Sequence, residues 1–128
     1  MASESRFFQH GVLLNDNRTP FHVLLATADA TGGDAEGVEV VAADATGKTH
    51  YLMGMVLHNT TVGAIKIMPV TDASEATVAQ IGAYVTVAAG GSVVIDYPVP
   101  LAAGAGLNLG ANADGAGAVQ IEFLGYTV

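Results

Sequence analysis

The chain has 128 residues, of which 51% are hydrophobic and only 12% charged, and 12 acidic against 4 basic side chains leave a formal net charge of −8. That charge, with no basic stripe, argues against a nucleic-acid backbone as partner, and the absence of cysteine excludes disulfides, thiolate zinc sites and cysteine nucleophiles. The length suits one two-layer domain. No apolar run approaches the roughly 20 residues of a membrane helix, and the first residues lack a charged segment feeding an apolar one, so neither a membrane span nor a secretion signal is expected.

Residues 1–36 read as an N-terminal arm or hairpin with a loop, and 37–128 as the main domain. After a polar start come Arg6, Phe7 and Phe8; short extended segments at 12–14 and 21–25 then flank the turn-rich 15–20, which holds Arg18. An aromatic, cationic arm suits docking on another subunit, and the first hairpin of the domain itself is the alternative. Residues 26–37 are rich in Gly, Asp and Thr and must connect.

From residue 38 the pattern is regular. A short strand at 37–43 and a turn at 44–47 lead to a long strand at 49–58. There strict alternation would put Tyr51, Met53, Met55 and Leu57 on one face and Leu52 and Val56 on the other, so the strand should be central or lie at a subunit interface. A turn at 59–61 precedes a strand at 62–70, with Ile65 and Ile67 opposite Lys66 and Met68. Residues 71–79 fit either a short helical turn or a loop. In 80–87, Ile81, Ala83, Val85 and Val87 are expected inward and Tyr84 and Thr86 outward. Beyond the Gly90-Gly91 turn, Val93, Ile95 and Tyr97 oppose Asp96. The Pro98-Val99-Pro100 step then forbids a central ladder position and requires an edge or a crossing. A strand beginning at Leu107 and Leu109 follows. In the last strand Val119, Ile121 and Phe123 alternate with Gln120 and Glu122. Seven or eight short strands with no sustained helical period predict an all-β, antiparallel sandwich of jelly-roll type.

Reactive constellations are missing. His50 and His58 share a face by parity but stand about 26 Å apart along an unbroken strand, too far for one metal. Asp29, Asp34 and Glu36, and Asn112 with Asp114, follow no calcium-loop spacing and serve as turn formers. No serine stands in G-x-S-x-G, and Gly90-Gly91-Ser92 lacks the lysine and helix of a phosphate loop. No enzyme activity, cofactor or metal is expected. Tyr84 and Tyr126 are the outward aromatic candidates, either for a subunit contact or for a sugar platform.

The order His58-Asn59-Thr60-Thr61, Ile65-Lys66-Ile67, GGSVVIDYPVPL (90–101), GLNLG (106–110) and a closing strand ending in Gly125-Tyr126 resembles the small β-sandwich virion proteins of tailed bacteriophages. It is most similar to their head decoration or cement proteins, over a little more than half the chain. The resemblance implies a homotrimeric jelly-roll subunit on the outer surface of the virion, bridging major capsid protein subunits, with no catalytic residue, no nucleic acid and no membrane. Arg6, Phe7, Phe8, Arg18, Tyr84 and Tyr126 are then the candidate capsid or subunit contacts. A carbohydrate- or receptor-binding module and a tail or fibre-attachment protein are the alternatives.

Overall fold

The computed structural model describes residues 18–25, 37–74, 78–114 and 118–128, together with the backbone course of 8–9 and 12–13. Arg6, Phe7 and the Asp29, Asp34 and Glu36 cluster lie outside the described residues, and of Phe8 only the backbone is described. The chain is all-β: β1 (Phe8–Gln9), β2 (Val12–Leu13), β3 (Thr19–Leu25), β4 (Val38–Val41), β5 (His50–Asn59), β6 (Ile65–Thr71), β7 (Ala79–Gln80), β8 (Val85–Val87), β9 (Ser92–Ala102), β10 (Leu109–Ala113) and β11 (Val119–Thr127). Strands β1 and β2 pair with each other. The remaining strands form two antiparallel sheets, ordered β3-β11-β5-β9 and β4-β10-β6-β7, with β8 also paired to β6.

The sheets enclose one core, so the architecture is a β-sandwich. From the first sheet Leu52, Met55, Leu57, Val119, Ile121 and Phe123 point inward, and from the second Ile65, Ile67, Val87, Leu109, Ala111 and Ala113 meet them. In β11 the alternation is uninterrupted: 119, 121, 123 and Gly125 are buried inward while 120, 122 and 124 face out. Isoleucine and valine supply most of the branched, stiff side chains that suit a pleated surface.

Strand β5 departs from strict alternation. Leu52 pairs with Gly125 and Gly54 with Leu124, so Met53 is an extra residue on β5 without a partner on β11. This one-residue bulge shifts the parity of everything beyond it. Leu52 therefore faces the core and Tyr51 and Met53 face out, whereas Met55 and Leu57 are inward as expected. The two histidines that parity placed together fall on opposite sides. His50 is buried, its Nε2 and Nδ1 each 2.7 Å from the Ala42 carbonyl and the Thr127 hydroxyl, while His58 faces out, 2.7 Å from the Ser92 hydroxyl. Strand β5 is central, flanked by β11 and β9.

Two further expectations are refined. Residues 80–87 do not form one strand: β7 and β8 are separated by an irregular 81–84 segment in which Ala83 is exposed rather than inward. The Pro98–Pro100 step sits in β9, which is the edge of its sheet, where missing amide donors cost no ladder bond. Residues 71–74 finish β6 and turn with Asp72 and Ser74 at positive φ, a conformation uncommon outside glycine. Buried Asn108 holds that turn: its side-chain oxygen accepts from the Ala73 amide at 2.7 Å and its amide donates to the Ala73 carbonyl at 2.9 Å and to Glu39 at 2.7 Å. Asn59 does the same for 59–63, donating to the Gly63 and Val87 carbonyls and accepting from the Thr61 amide. Each buried amide is thus satisfied by backbone that would otherwise be orphaned.

Gly125 provides a direct test of the bulge. A Cβ built there would lie 1.9 Å from the Tyr51 carbonyl oxygen and 2.6 Å from the Phe21 ring, because the bulged backbone of β5 occupies that space. Gly125→Ala should destabilise the fold by about 3 kcal/mol, at the upper end of overpacking effects, lowering the melting temperature by roughly 10 °C. A melting curve superimposable on the wild type would remove the bulge assignment.

The 44–47 turn supplies a second test. The Asp44 carboxylate accepts from the Thr46 hydroxyl, from the Lys48 amide at 3.2 Å and from the Thr46 amide at 2.9 Å. These bonds, the Thr46 hydroxyl first, hold its pKa below the ordinary carboxylate value. A depressed folded-state value means that the stabilising contribution is present above the unfolded pKa and is lost as pH falls through the folded one. The Thr46 and Lys48 amide resonances should follow that single titration, with a midpoint below that of a free aspartate, and Asp44→Asn should abolish it. A midpoint at or above the free value would contradict the cap.

Candidate contact surface

Among the described residues, the outer face of the β3-β11-β5-β9 sheet carries the largest grouping of exposed apolar side chains on regular structure. The register sets them in rows. Leu24, Glu122, Val56 and Val94 are neighbours across all four strands. His22, Leu124, Gly54 and Asp96 form the next row, and Pro20, Tyr126, Tyr51 and Ala102 the one after. Leu24 is 60% exposed and Val94 68%, and Leu124 is also open. The His22 ring contacts the Glu122 carboxylate between them. The second sheet is more polar outside, presenting Glu39, Lys66, Thr86 and Gln80 to solvent.

At one end of the apolar face, Tyr126 stacks on Tyr51 with ring centroids 5.1 Å apart and planes 17° from parallel, and the Arg18 guanidinium lies 4.7 Å from the Tyr126 centroid. Strand β11 runs between β3 and β5, so Arg18 arrives from one flank of Tyr126 and Tyr51 from the other. The bulge at Met53 brings this about by turning Tyr51 outward, into register with Tyr126. Tyr126 is left 8% exposed and offers no open ring face. A guanidinium over an aromatic face is attracted by the ring quadrupole and covers apolar surface with its stem.

Of the residues singled out in the sequence, the structure brings Arg18 and Tyr126 into contact and sets Tyr84 apart. Tyr84 lies in the 81–84 segment and is 48% exposed. A Cβ at Gly82 would meet Leu101 at 2.8 Å and Pro69 at 2.7 Å, which places Gly82 against Leu101 of β9 and Pro69 of β6; Val99, two residues from Leu101 on β9, is 79% exposed. Burial pushes the Tyr97 phenol up from its ordinary value.

Sequence reasoning missed Leu24, Val94, Leu124 and Tyr51. The available signal was apolar residues on both parities of one strand, as in Val23-Leu24-Leu25 and Val93-Val94-Ile95: a strand with one face in the core should not be apolar on the other unless that face is also covered. Among the described residues no group of three His, Asp or Glu is placed to hold a metal ion, and no buried side-chain nitrogen or oxygen lacks a partner.

Arg18→Gln should lower stability by about 0.5–1 kcal/mol, the size of an exposed cation–π contact, and the loss should vanish in a Tyr126→Leu background. Urea denaturation of the four variants of that cycle measures it; equal losses in both backgrounds would show that Arg18 acts elsewhere. No protein-family model and no curated protein matches the chain.

Proposed function

We propose that the chain is a structural virion protein, a head decoration protein of a tailed bacteriophage that binds the outside of the assembled capsid as a homotrimer and bridges major capsid protein subunits. The observation that carries this reading is the exposed apolar face of the four-stranded sheet, with Leu24, Val94 and Leu124 open on a body whose described interior polar groups are satisfied. Such a face on an otherwise acidic protein marks a contact with another protein.

The winding of the chain supports the jelly-roll part of the reading. Taking β3, β4, β5, β6, the broken β7–β8 pair, β9, β10 and β11 as eight successive strands, one sheet runs first-eighth-third-sixth and the other second-seventh-fourth-fifth. That nesting of outer around inner strands is the order a double Greek key would give, and it supports the jelly-roll reading.

The mechanism is thermodynamic linkage. A protein that binds only the assembled shell lowers its free energy by about 2.7 kcal/mol per site at a hundredfold excess over Kd, and many sites together resist internal pressure and heat. A trimer adds avidity, because three contacts must open together for dissociation.

Mixing the purified chain with empty expanded capsids of the phage that carries the gene, then sedimenting, tests this. Saturable co-sedimentation with a Kd of about 1 μM or tighter, a raised capsid melting temperature and no binding to unassembled capsid protein are expected. Capsids that sediment alone at about 100 μM protein, on the order of 100 times that Kd, would dispose of the reading.

A further inference from the structure

We propose that copies of this chain associate side by side, the wall formed by β9 and the 81–84 segment of one copy packing against the β3 edge of the next. This rests on the self-association contained in the decoration reading and adds the surfaces that perform it.

Residues 78–102 carry a single charged side chain, Asp96, in a chain with a net charge of −8. They form β7, β8 and β9 and lie along one flank of the sandwich, where Tyr84, Val94 and Val99 are exposed. Depletion of charge with exposed aromatic and branched side chains is the composition of an interface core. Leu24 stands exposed on the opposite flank, on β3, whose only ladder partner among the described residues is β11.

Strand direction makes the two flanks complementary. The β3-β11-β5-β9 sheet is antiparallel throughout, so with four strands its edges β3 and β9 run in opposite directions. A second copy related by rotation about an axis parallel to the strands therefore sets its β3 antiparallel to the β9 of the first. The same holds in the other sheet for β4 and β8. Such a contact joins two different surfaces, and rotation allows it to close into a ring.

Charge points the same way. Among the described residues, Asp96 is exposed with no hydrogen-bond or ion-pair partner, and Arg18 lies over Tyr126 without an ion-paired carboxylate. The two stand on the same outer face at opposite edges of one sheet. Side-by-side packing brings the carboxylate of one copy to the end of β3 that carries the cation of the next: Asp96 is level with His22, and the Arg18 guanidinium lies over Tyr126, one inter-strand row further on. The wall measures about 30 by 20 Å from strand rise and sheet spacing, so each contact covers about 600 Å² per copy, somewhat below the roughly 800 Å² of a standard interface. Each copy in a ring makes two.

The test is a charge exchange read by analytical ultracentrifugation. Asp96→Arg and Arg18→Asp should each weaken association about tenfold or more, since like charges meet across the contact, and the double variant D96R/R18D should return to within about threefold of wild type. Val99→Lys, at a side chain with no described intramolecular role, should weaken association without lowering the melting temperature, which separates loss of contact from loss of fold. Singles and V99K that assemble like wild type, a double variant weaker than both singles, or a wild-type chain monomeric at every concentration would each overturn the proposal. Capsid binding by the same proteins is the independent arm. Wild type that follows the exchange pattern yet ignores capsids sinks the decoration reading alone, and monomeric wild type that binds capsids sinks this one alone.

Discussion

The pairing of β5 with β11 is the contact on which the rest of the molecule depends. These strands are the two central members of one sheet, and between them they place Leu52, Met55, Leu57, Ile121 and Phe123 in the core. A strand presents alternate residues to opposite faces, so one unpaired residue inverts every position beyond it. Met53 is that residue. Without it, either the upper half of β5 would expose Leu52 or the lower half would expose Met55 and Leu57. The bulge lets both halves bury their apolar side chains, and Gly125 on β11 accommodates the displaced Tyr51 carbonyl because it has no Cβ.

The same inversion shapes the outer surface. Turning Tyr51 outward sets it beside Tyr126, and Arg18, the residue before β3, closes the stack. An interior constraint thereby determines which aromatic surface is covered within the chain and which remains open. Tyr126 is covered, while Tyr84 and the aliphatic side chains Leu24, Val94 and Val99 remain open.

Inside, the sandwich is thin. Ala111 and Ala113 on β10 face larger residues from the other sheet, and such pairing of small with large lets two layers approach closely. The irregular connections are held by Asn59, Asn108 and His50, each buried and each bonded to backbone. Described polar groups that are buried are therefore occupied in holding turns, and the chemistry open to a partner lies on the outer sheet face and the flanks. Affinity there would come from apolar area and shape, with Asp96 and Arg18 supplying direction.

Much of the fold was legible in the residues. The period of two in 92–97, in 119–123 and in the last part of 80–87 identified strands and their buried sides, Pro98 and Pro100 required an edge or a crossing, and an excess of short strands without a helical period predicted an all-β sandwich. Local patterns carry this information because a half-buried strand must alternate whatever lies beyond it. The bulge at Met53 was not legible: Leu52, Met53, Met55 and Val56 are all apolar, so no polar residue marks which parity is inward, and only the partner strand decides. The stacking of Tyr51 on Tyr126 and the opposite placement of His50 and His58 follow from that decision. Residues far apart in the chain meet through strand order and register, which depend on how two sheets close over one core rather than on any single segment.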